Sequence, residues 1–524
     1  MMILTKGLIY TAKIRPSHTA ILENGHAFTY SQLAERTARL KKVLKEMGVR
    51  KGDRVGLLML NNFRYIEIFF ACTAIGAIYV PLNYRFSIDE LEYVMNDSGI
   101  KVLFLHREFL PLVQSLGVNT PSIEKYILAE DMEIESELVS YENMIAKENG
   151  TSFELDYDDV TEEDLAGIFY TGGTTGRSKG VMFTHRNIFS NYFQTINHVG
   201  FTHETNFLHS APMFHLATGA SAINLVMVGG TQTIIRSFTP KIFFETVETF
   251  KVTMAMLVPT MLNMVLNDLG FHQHDISSLN RIGYGASPMS LALLQKAMRM
   301  LPDVQFAQGF GMTEACGVAY LSYEDHKLFA NEKDERKLRS CGRAILGVEL
   351  KVVDENGNSM KTGQIGEIVI KGRNIMKGYW KLPEETAKVI KDGWYHTGDM
   401  ATIDDDHYIY IVDRKKDMII SGGENVYSQE VEDVIYKLPD VLETALIGIP
   451  DEKWGEAVTA IVVKKANSTL TEKEIIEFIR PRLANYKVPK FVKFVDELPK
   501  TASGKILKRT LREQYWQGSS RMVN

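Results

Sequence analysis

Ile168-Phe169-Tyr170-Thr171-Gly172-Gly173-Thr174-Thr175-Gly176-Arg177-Ser178-Lys179-Gly180 runs from a short apolar segment straight into a loop of glycine, hydroxyl and basic residues. The apolar part is β-rich and predicts a buried strand. In the loop, glycines let backbone N–H groups crowd around an anion without Cβ clashes, hydroxyls donate further hydrogen bonds, and Lys179 adds positive charge. That chemistry suits phosphates. The pattern is neither a Rossmann fingerprint nor a Walker A loop, which needs glycine before its lysine, where this chain has Ser178. Two other readings stay open: a flexible surface loop, and Gly176-Arg177-Ser178-Lys179-Gly180 as the GxSxG nucleophile elbow of a serine hydrolase. An elbow turns directly from strand to helix, without the phosphate-loop residues that precede Ser178 here.

Outward from that strand, similar apolar runs recur at Val55–Leu60, Ala77–Val80, Val102–Leu105, Met254–Val258 and Arg281–Tyr284, separated by segments of helix length. They predict βα units and mostly parallel sheets buried on both faces, so the large N-terminal part reads as α/β. The charge-dense stretch Tyr323–Ser340 reads as a surface excursion. Beyond it the pattern changes to alternating strands with turns at Glu355-Asn356-Gly357 and Lys361-Thr362-Gly363, which suggests a β subdomain. The polar run Asp413-Arg414-Lys415-Lys416-Asp417 then precedes a compact α+β segment, and the domain boundary is placed there, between residues 1–413 and 414–524.

The 524-residue length is too great for one hydrophobic core. With 45% hydrophobic and 24% charged residues, the chain has ordinary globular composition. A net charge of -6 argues against a dedicated nucleic-acid binder. The charge is uneven: from Phe478 to Asn524 eleven Lys/Arg face three acids, a net of +8. Such a tail reads as a solvated face or as a contact for a small polyanion. Three scattered cysteines, Cys72, Cys316 and Cys341, support neither a disulfide framework nor a zinc site and fit a reducing cytoplasm. The N-terminus lacks a secretory h-region. The uncharged stretch Asn206–Ile235 carries too many polar residues and a Gly229-Gly230 break for a membrane span, and reads as buried core and pocket wall.

The loop is similar to the phosphate-binding signature of the adenylate-forming superfamily, which includes acyl-CoA synthetases, luciferases and peptide-synthetase adenylation domains. Six later segments match in order: Pro212-Met213-Phe214-His215; Gly285-Ala286-Ser287-Pro288; Gln308-Gly309-Phe310-Gly311-Met312-Thr313-Glu314; Trp394-Tyr395-His396-Thr397-Gly398-Asp399; Asp413–Asn425; and Pro499-Lys500-Thr501-Ala502-Ser503-Gly504-Lys505. The resemblance covers nearly the whole chain and is strongest to fatty-acyl-CoA ligases. It implies a large domain of two α/β subdomains plus the β subdomain, followed by a small mobile domain. It also implies activation of a carboxylic acid with ATP and Mg²⁺ to an acyl-adenylate, then transfer to coenzyme A.

The roles the resemblance implies can each be set beside a plainer one. Thr171, Gly172, Gly173, Thr174, Thr175, Gly176 and Lys179 would hold the phosphates. Gly285, Ala286 and Ser287 would form one wall of the adenine slot, with Gln308, Gly309 and Phe310 opposite, although Phe310 alone could be a core aromatic. Thr313 would bind the α-phosphate; Glu314, with Thr175, would bind Mg²⁺, although Glu314 alone reads as a surface carboxylate. Asp399 would accept hydrogen bonds from both ribose hydroxyls. Arg414 would contact the nucleotide or make an interdomain ion pair, and Lys416 would be the hinge. Gly422 and Gly423 would line the thiol's route or form a plain turn. His215 would lie near the reacting carboxylate, or be a buried structural histidine. Lys505 would neutralise charge as carboxylate attacks the α-phosphorus; a solvated lysine is the plainer reading, and it suits Lys508 and Arg509 better. Two positions depart from the family pattern: Gly172 replaces a usual serine and Ser178 a usual proline.

By analogy, Ser210–Ile235 and Met254–Val258 wall the acyl pocket, and neither holds a Lys or Arg within those limits. A second substrate carboxylate would be buried unpaired, which disfavours dicarboxylic acids. The small residues Ala217–Ala222 favour a medium- or long-chain fatty acid. An aryl acid remains open, as does a carrier-protein thiol in place of CoA. A greasy substrate is compatible with transient membrane-surface contact, and a homodimer is left open.

Overall fold

The computed structural model describes residues 2–23, 25–116, 119–131, 139–147, 154–171, 177–287, 289–332, 334–451, 453–500 and 506–516. All six apolar runs are strands, at Arg54–Leu58, Ile78–Pro81, Ile100–Leu105, Leu165–Tyr170, Met254–Leu257 and Arg281–Gly285. Each lies in a parallel ladder whose flanking helices cover both faces, which is why these runs are continuously apolar.

Two large sheets result. The eight-stranded one orders as 378–379, 180–184, 165–170, 78–81, 54–58, 100–105, 125–128 and 139–140. The nine-stranded one runs 343–344, 316–321, 305–312, 281–285, 254–257, 206–209, 231–234, 19–23 and 26–29. Between them pack the helices Arg64–Ile75 and Leu216–Val228. All twelve residues of the first are buried, including two charges. Arg64 donates to Glu142 at 3.0 Å, and Glu67 accepts from Arg36 at 2.5 Å and from the Tyr141 hydroxyl at 2.6 Å, so each buried charge has its counter-charge.

The β subdomain is a five-stranded sheet of 348–353, 366–372, 394–403, 390–391 and 409–414, with the expected turn closed by Gly357 N–H donating to the Asp354 carbonyl. A smaller C-terminal domain follows. Its sheet of 424–426, 419–421, 455–464, 441–451 and 491–494 encloses a separate apolar core around Val431, Ile435, Val458 and Ile475.

One expectation is corrected. Tyr323–Ser340 is no mere excursion, because Tyr323–Glu332 is a helix that buries Tyr323, His326 and Phe329. Those residues recur every three positions, enough to anchor one face, and His326 Nε2 lies 2.8 Å from the Tyr284 hydroxyl. The Asn206–Ile235 stretch divides into a strand, the Leu216–Val228 helix and a second strand. Among the described residues no helix is long and apolar enough to cross a membrane.

Candidate active site

In open α/β sheets ligands gather beyond the carboxyl ends of the strands. Three such ends carry the singled-out residues: Tyr170, Gly285 and the far end of Gln305–Met312. At the first, Tyr170 pairs antiparallel with Gly180, and Thr171 N–H donates to the Lys179 carbonyl at 3.1 Å. Thr171 and Lys179 thus frame Gly172, Gly173, Thr174, Thr175 and Gly176, which lie outside the described residues. Ser178 is buried and leads into the Gly180–Thr184 strand, so the strand-to-helix turn of a nucleophile elbow is not formed.

At the second and third ends, Gly285 and Gly309 are register partners, and a Cβ on Gly285 would sit 2.4 Å from the Gly309 carbonyl oxygen. Ala286 follows at φ +65°, a strained value for a residue with a side chain. Gln308 accepts from the Tyr284 hydroxyl at 3.4 Å, and Phe310 is half-buried opposite Ala319. The Gln305–Met312 strand then turns back into Cys316–Leu321, with Cys316 at φ +54° closing a three-residue turn. Thr313 and Glu314 stand at that hairpin tip. The buried Asn374 amide donates to the carbonyls of Ala315 at 2.6 Å and Gly317 at 2.9 Å, and Met376 N–H donates to that of Glu314 at 2.8 Å. The tip is therefore held from outside the hairpin.

Charges converge on it. The Tyr379 hydroxyl donates to Glu314 Oε1 at 3.0 Å and shares a hydrogen bond with Tyr395. Burial, and after it the Glu314 charge, raise the Tyr379 phenol above its usual range, so it remains a donor. Lys179 Nζ lies 5.0 Å from the centroid of the Tyr379 ring and 2.6 Å from Glu385, which also holds Lys388 at 2.6 Å. Asp399, almost fully buried, is the cross-strand partner of Arg414 and meets its Nε at 2.7 Å. Arg414 also feels the charge of Glu314.

A family model described as AMP-binding enzyme matches residues 9–380, and one described as AMP-binding enzyme C-terminal domain matches residues 430–505. The chain belongs to the AMP-binding enzymes. It is 38% identical over 506 residues to a feruloyl-CoA synthase of Amycolatopsis sp, covering 96% of this chain and 97% of that one. It is 33% identical over 521 residues to the fatty acid–[acyl-carrier-protein] ligase ScoC of Streptomyces coeruleorubidus, covering 98% and 97%. The ATP-bound MatB structure from Rhodopseudomonas palustris superposes with a TM-score of 0.88 at 28% identity over 98% of this chain and 99% of that one. Its kinship makes this AMP-binding enzyme an AMP-forming acid–thiol ligase.

The remaining singled-out residues of this AMP-binding enzyme lie as follows. His215 precedes the Leu216–Val228 helix, its ring 4.3 Å from that of Phe214, with Ala217 exposed two residues on. A small apolar cavity beside that helix is lined by Phe69, Phe70, Met213 and Gly219. Lys416 is half-buried, and desolvation lowers its ammonium pKa to about 8, while its carbonyl accepts from Arg512 at 2.9 Å. Gly422 and Gly423 form the two-residue turn between Ile419–Ser421 and Glu424–Val426 at φ +64° and +85°. Lys505 lies outside the described residues. Three positions on, the solvated reading of Lys508 is corrected: it is half-buried, its ammonium 2.8 Å from the buried Glu432 and bonded to Ser428, whereas Arg509 pairs with Glu513 at the surface. Sequence reasoning missed Tyr379, Glu385 and Asn374 as partners of the site and quoted Tyr395 without a role.

Proposed function

We propose that this AMP-binding enzyme activates an apolar monocarboxylic acid with ATP, releasing pyrophosphate, and passes the acyl group from acyl-AMP to the thiol of coenzyme A. The observation that carries this reading is the convergence of Lys179, Glu314, Asp399 and Arg414 at adjoining strand ends. Lys179 and the loop before it would take the β- and γ-phosphates, Thr313 the α-phosphate and Asp399 the ribose hydroxyls. The Gly285–Gly309 pair, where no side chain intervenes, would flank the adenine with Phe310.

Glu314 fits Mg²⁺ by its chemistry: a hard carboxylate oxygen on a hairpin tip held by Asn374 and Met376. Bound there with the phosphates, Mg²⁺ would supply neutralisation of triphosphate charge. Attack of carboxylate on the α-phosphorus brings anion to anion, so fixed cations stabilise the transition state more than the ground state. Lys505 is assigned that task in the first step, Arg414 assists at the ribose and phosphate, and His215 borders the acid. With the domain boundary at 413/414 and the hinge at Lys416, the small domain would then turn and bring the Gly422-Gly423 turn to the thiol's path.

For the acid, the first reading is a medium- or long-chain fatty acid, because Ala217 is exposed beside His215 and no cation lies within the two wall segments. A hydroxycinnamate-like aryl acid is the second, favoured by the 38% identity to a feruloyl-CoA synthase against 33% to the fatty-acid ligase ScoC. Pyrophosphate exchange into ATP, without CoA, across fatty acids of graded length, benzoate, cinnamate, ferulate and malonate tests both. Acid-dependent exchange followed by acyl-CoA on adding CoA supports the proposal. Exchange without acyl-CoA would shift the acceptor to a carrier protein, and exchange with malonate alone would overturn the apolar assignment.

A further inference from the structure

We propose that Tyr379 is a positioning residue that sets Glu314 and Lys179 together, so that the carboxylate directed at Mg²⁺ and the ammonium directed at the phosphates are aligned by one side chain. The inference rests on the roles given to those two residues above. Glu314 and Lys179 come from different sheets, on a hairpin tip of the nine-stranded sheet and at the mouth of a loop in the eight-stranded one. Neither sheet fixes the distance between them. Tyr379 does, because its two faces of contact are chemically distinct: the hydroxyl donates to Glu314 Oε1 at 3.0 Å, and the ring lies beneath Lys179 Nζ at 5.0 Å.

Tyr379 is itself pinned on every side. Its short strand, Gly378–Tyr379, pairs with Val181 and Met182, two and three residues after Lys179. Its backbone N–H donates to Thr386 Oγ1 at 2.9 Å, and that hydroxyl donates to the Leu382 carbonyl at 2.9 Å, fixing the start of the Pro383–Val389 helix. One residue before Thr386, Glu385 takes Lys179 at 2.6 Å. Upstream, Asn374 and Met376 hold the backbone of the hairpin tip. The single segment from Asn374 to Thr386 thus grips Glu314 by backbone and carboxylate and Lys179 by ring and counter-charge.

The two contacts can be removed one at a time. Tyr379→Phe deletes the hydroxyl but keeps the ring under Lys179; Glu385→Ala deletes the counter-charge but leaves Glu314 untouched. The test is calorimetric titration of the full chain with a non-hydrolysable ATP analogue, with Mg²⁺ and with EDTA, alongside thermal melts. Tyr379→Phe is expected to weaken binding about tenfold in Mg²⁺ and less than twofold in EDTA, the loss of one hydrogen bond to a charged group. Glu385→Ala is expected to weaken both equally, and Tyr379→Phe added to Glu314→Gln is expected to cost nothing further. Equal losses in Mg²⁺ and EDTA for Tyr379→Phe, or additivity with Glu314→Gln, would overturn the inference while leaving the Glu314 assignment standing. If Glu314→Gln alone leaves Mg²⁺-dependent binding unchanged, the assignment of Glu314 falls and the inference with it.

Discussion

Asp399 stands directly across an antiparallel ladder from Arg414, and the two side chains close to 2.7 Å although Asp399 is almost fully buried and Arg414 is not. The pair joins the TGD segment to the stretch that precedes the C-terminal sheet. The Arg414 guanidinium gives this buried carboxylate a counter-charge, and a carboxylate can accept several hydrogen bonds at once, a ligand's hydroxyls among them. Asp399→Ala is expected to raise the KM for ATP about 10- to 100-fold, the loss of one to two charge-assisted hydrogen bonds. Steady-state kinetics in ATP checks it, and an unchanged KM would remove Asp399 from the nucleotide site.

The turn at Gly422-Gly423 makes a separate claim on the second half-reaction. A Cβ on Gly422 would meet the Trp454 ring at 2.8 Å, on a backbone at φ +64° where side chains are strained. Gly422 N–H also donates to the Trp454 carbonyl at 2.7 Å, so turn and indole cannot simply part. Gly422→Ala is expected to leave pyrophosphate exchange within about twofold while slowing acyl-CoA formation at least tenfold, in line with the cost of forcing Ala into a left-handed site. Comparing the two half-reactions in one preparation decides the point, and equal slowing of both would mean the substitution damages the domain as a whole.

Much of the site was legible because phosphate, ribose and adenine contacts demand particular residue types in short runs, and such runs survive as local patterns. The parallel strands were legible for a similar reason, since burial on both faces leaves unbroken apolar stretches such as Ile100–Leu105. Tyr379 and Glu385 were not, because what distinguishes them is contact with residues 65 and 206 positions away. Lys508 misled for the converse reason: its basic neighbours suggest a solvated tail, yet Glu432 draws its ammonium inside. The Tyr323–Glu332 helix did leave a signal, the three-residue spacing of Tyr323, His326 and Phe329, hidden among charges.

Lys416 is the residue from which a pH dependence is expected. Burial lowers its pKa to about 8, with Arg414 and Arg512 acting in the same direction and Asp417 and Asp399 opposing. The folded state therefore releases this proton before the unfolded chain does. Between about pH 8 and 10.5 the unfolded chain holds more protons, so the stability cost of charging Lys416 is fully present below pH 8 and fades as pH rises. If the charge serves the nucleotide site, exchange activity is expected to decline above about pH 8, and Lys416→Arg to carry activity to higher pH. A pH–rate profile that is the same for both proteins would show that the Lys416 charge plays no part.

Ser178 offers the cleanest separation of ligase from hydrolase. It is buried and precedes a strand, so its hydroxyl is not presented as a nucleophile. Ser178→Ala is expected to retain pyrophosphate exchange within about threefold, since one neutral hydrogen bond contributes only about 0.5–1.5 kcal/mol. Loss of turnover with ATP binding preserved would contradict the ligase assignment.

Two lysines three positions apart are expected to fail in different ways. Lys505 is assigned to charge neutralisation during attack on the α-phosphorus, so Lys505→Ala is expected to cripple exchange while sparing thioester formation from supplied acyl-adenylate. Lys508 is partly buried against the buried Glu432, and Lys508→Ala would leave that carboxylate uncompensated in the interior. Removing one partner of a buried pair costs about 3–5 kcal/mol, so the C-terminal domain of Lys508→Ala is expected to melt markedly earlier. Lys508→Met, which restores bulk without charge, would recover little unless Glu432 is replaced as well, whereas the pair Lys508→Met with Glu432→Leu is expected to regain most of the stability. Melts and half-reaction rates measured on all four variants separate the two roles, and a Lys505→Ala protein equally defective in both half-reactions would show that Lys505 is not confined to the first step.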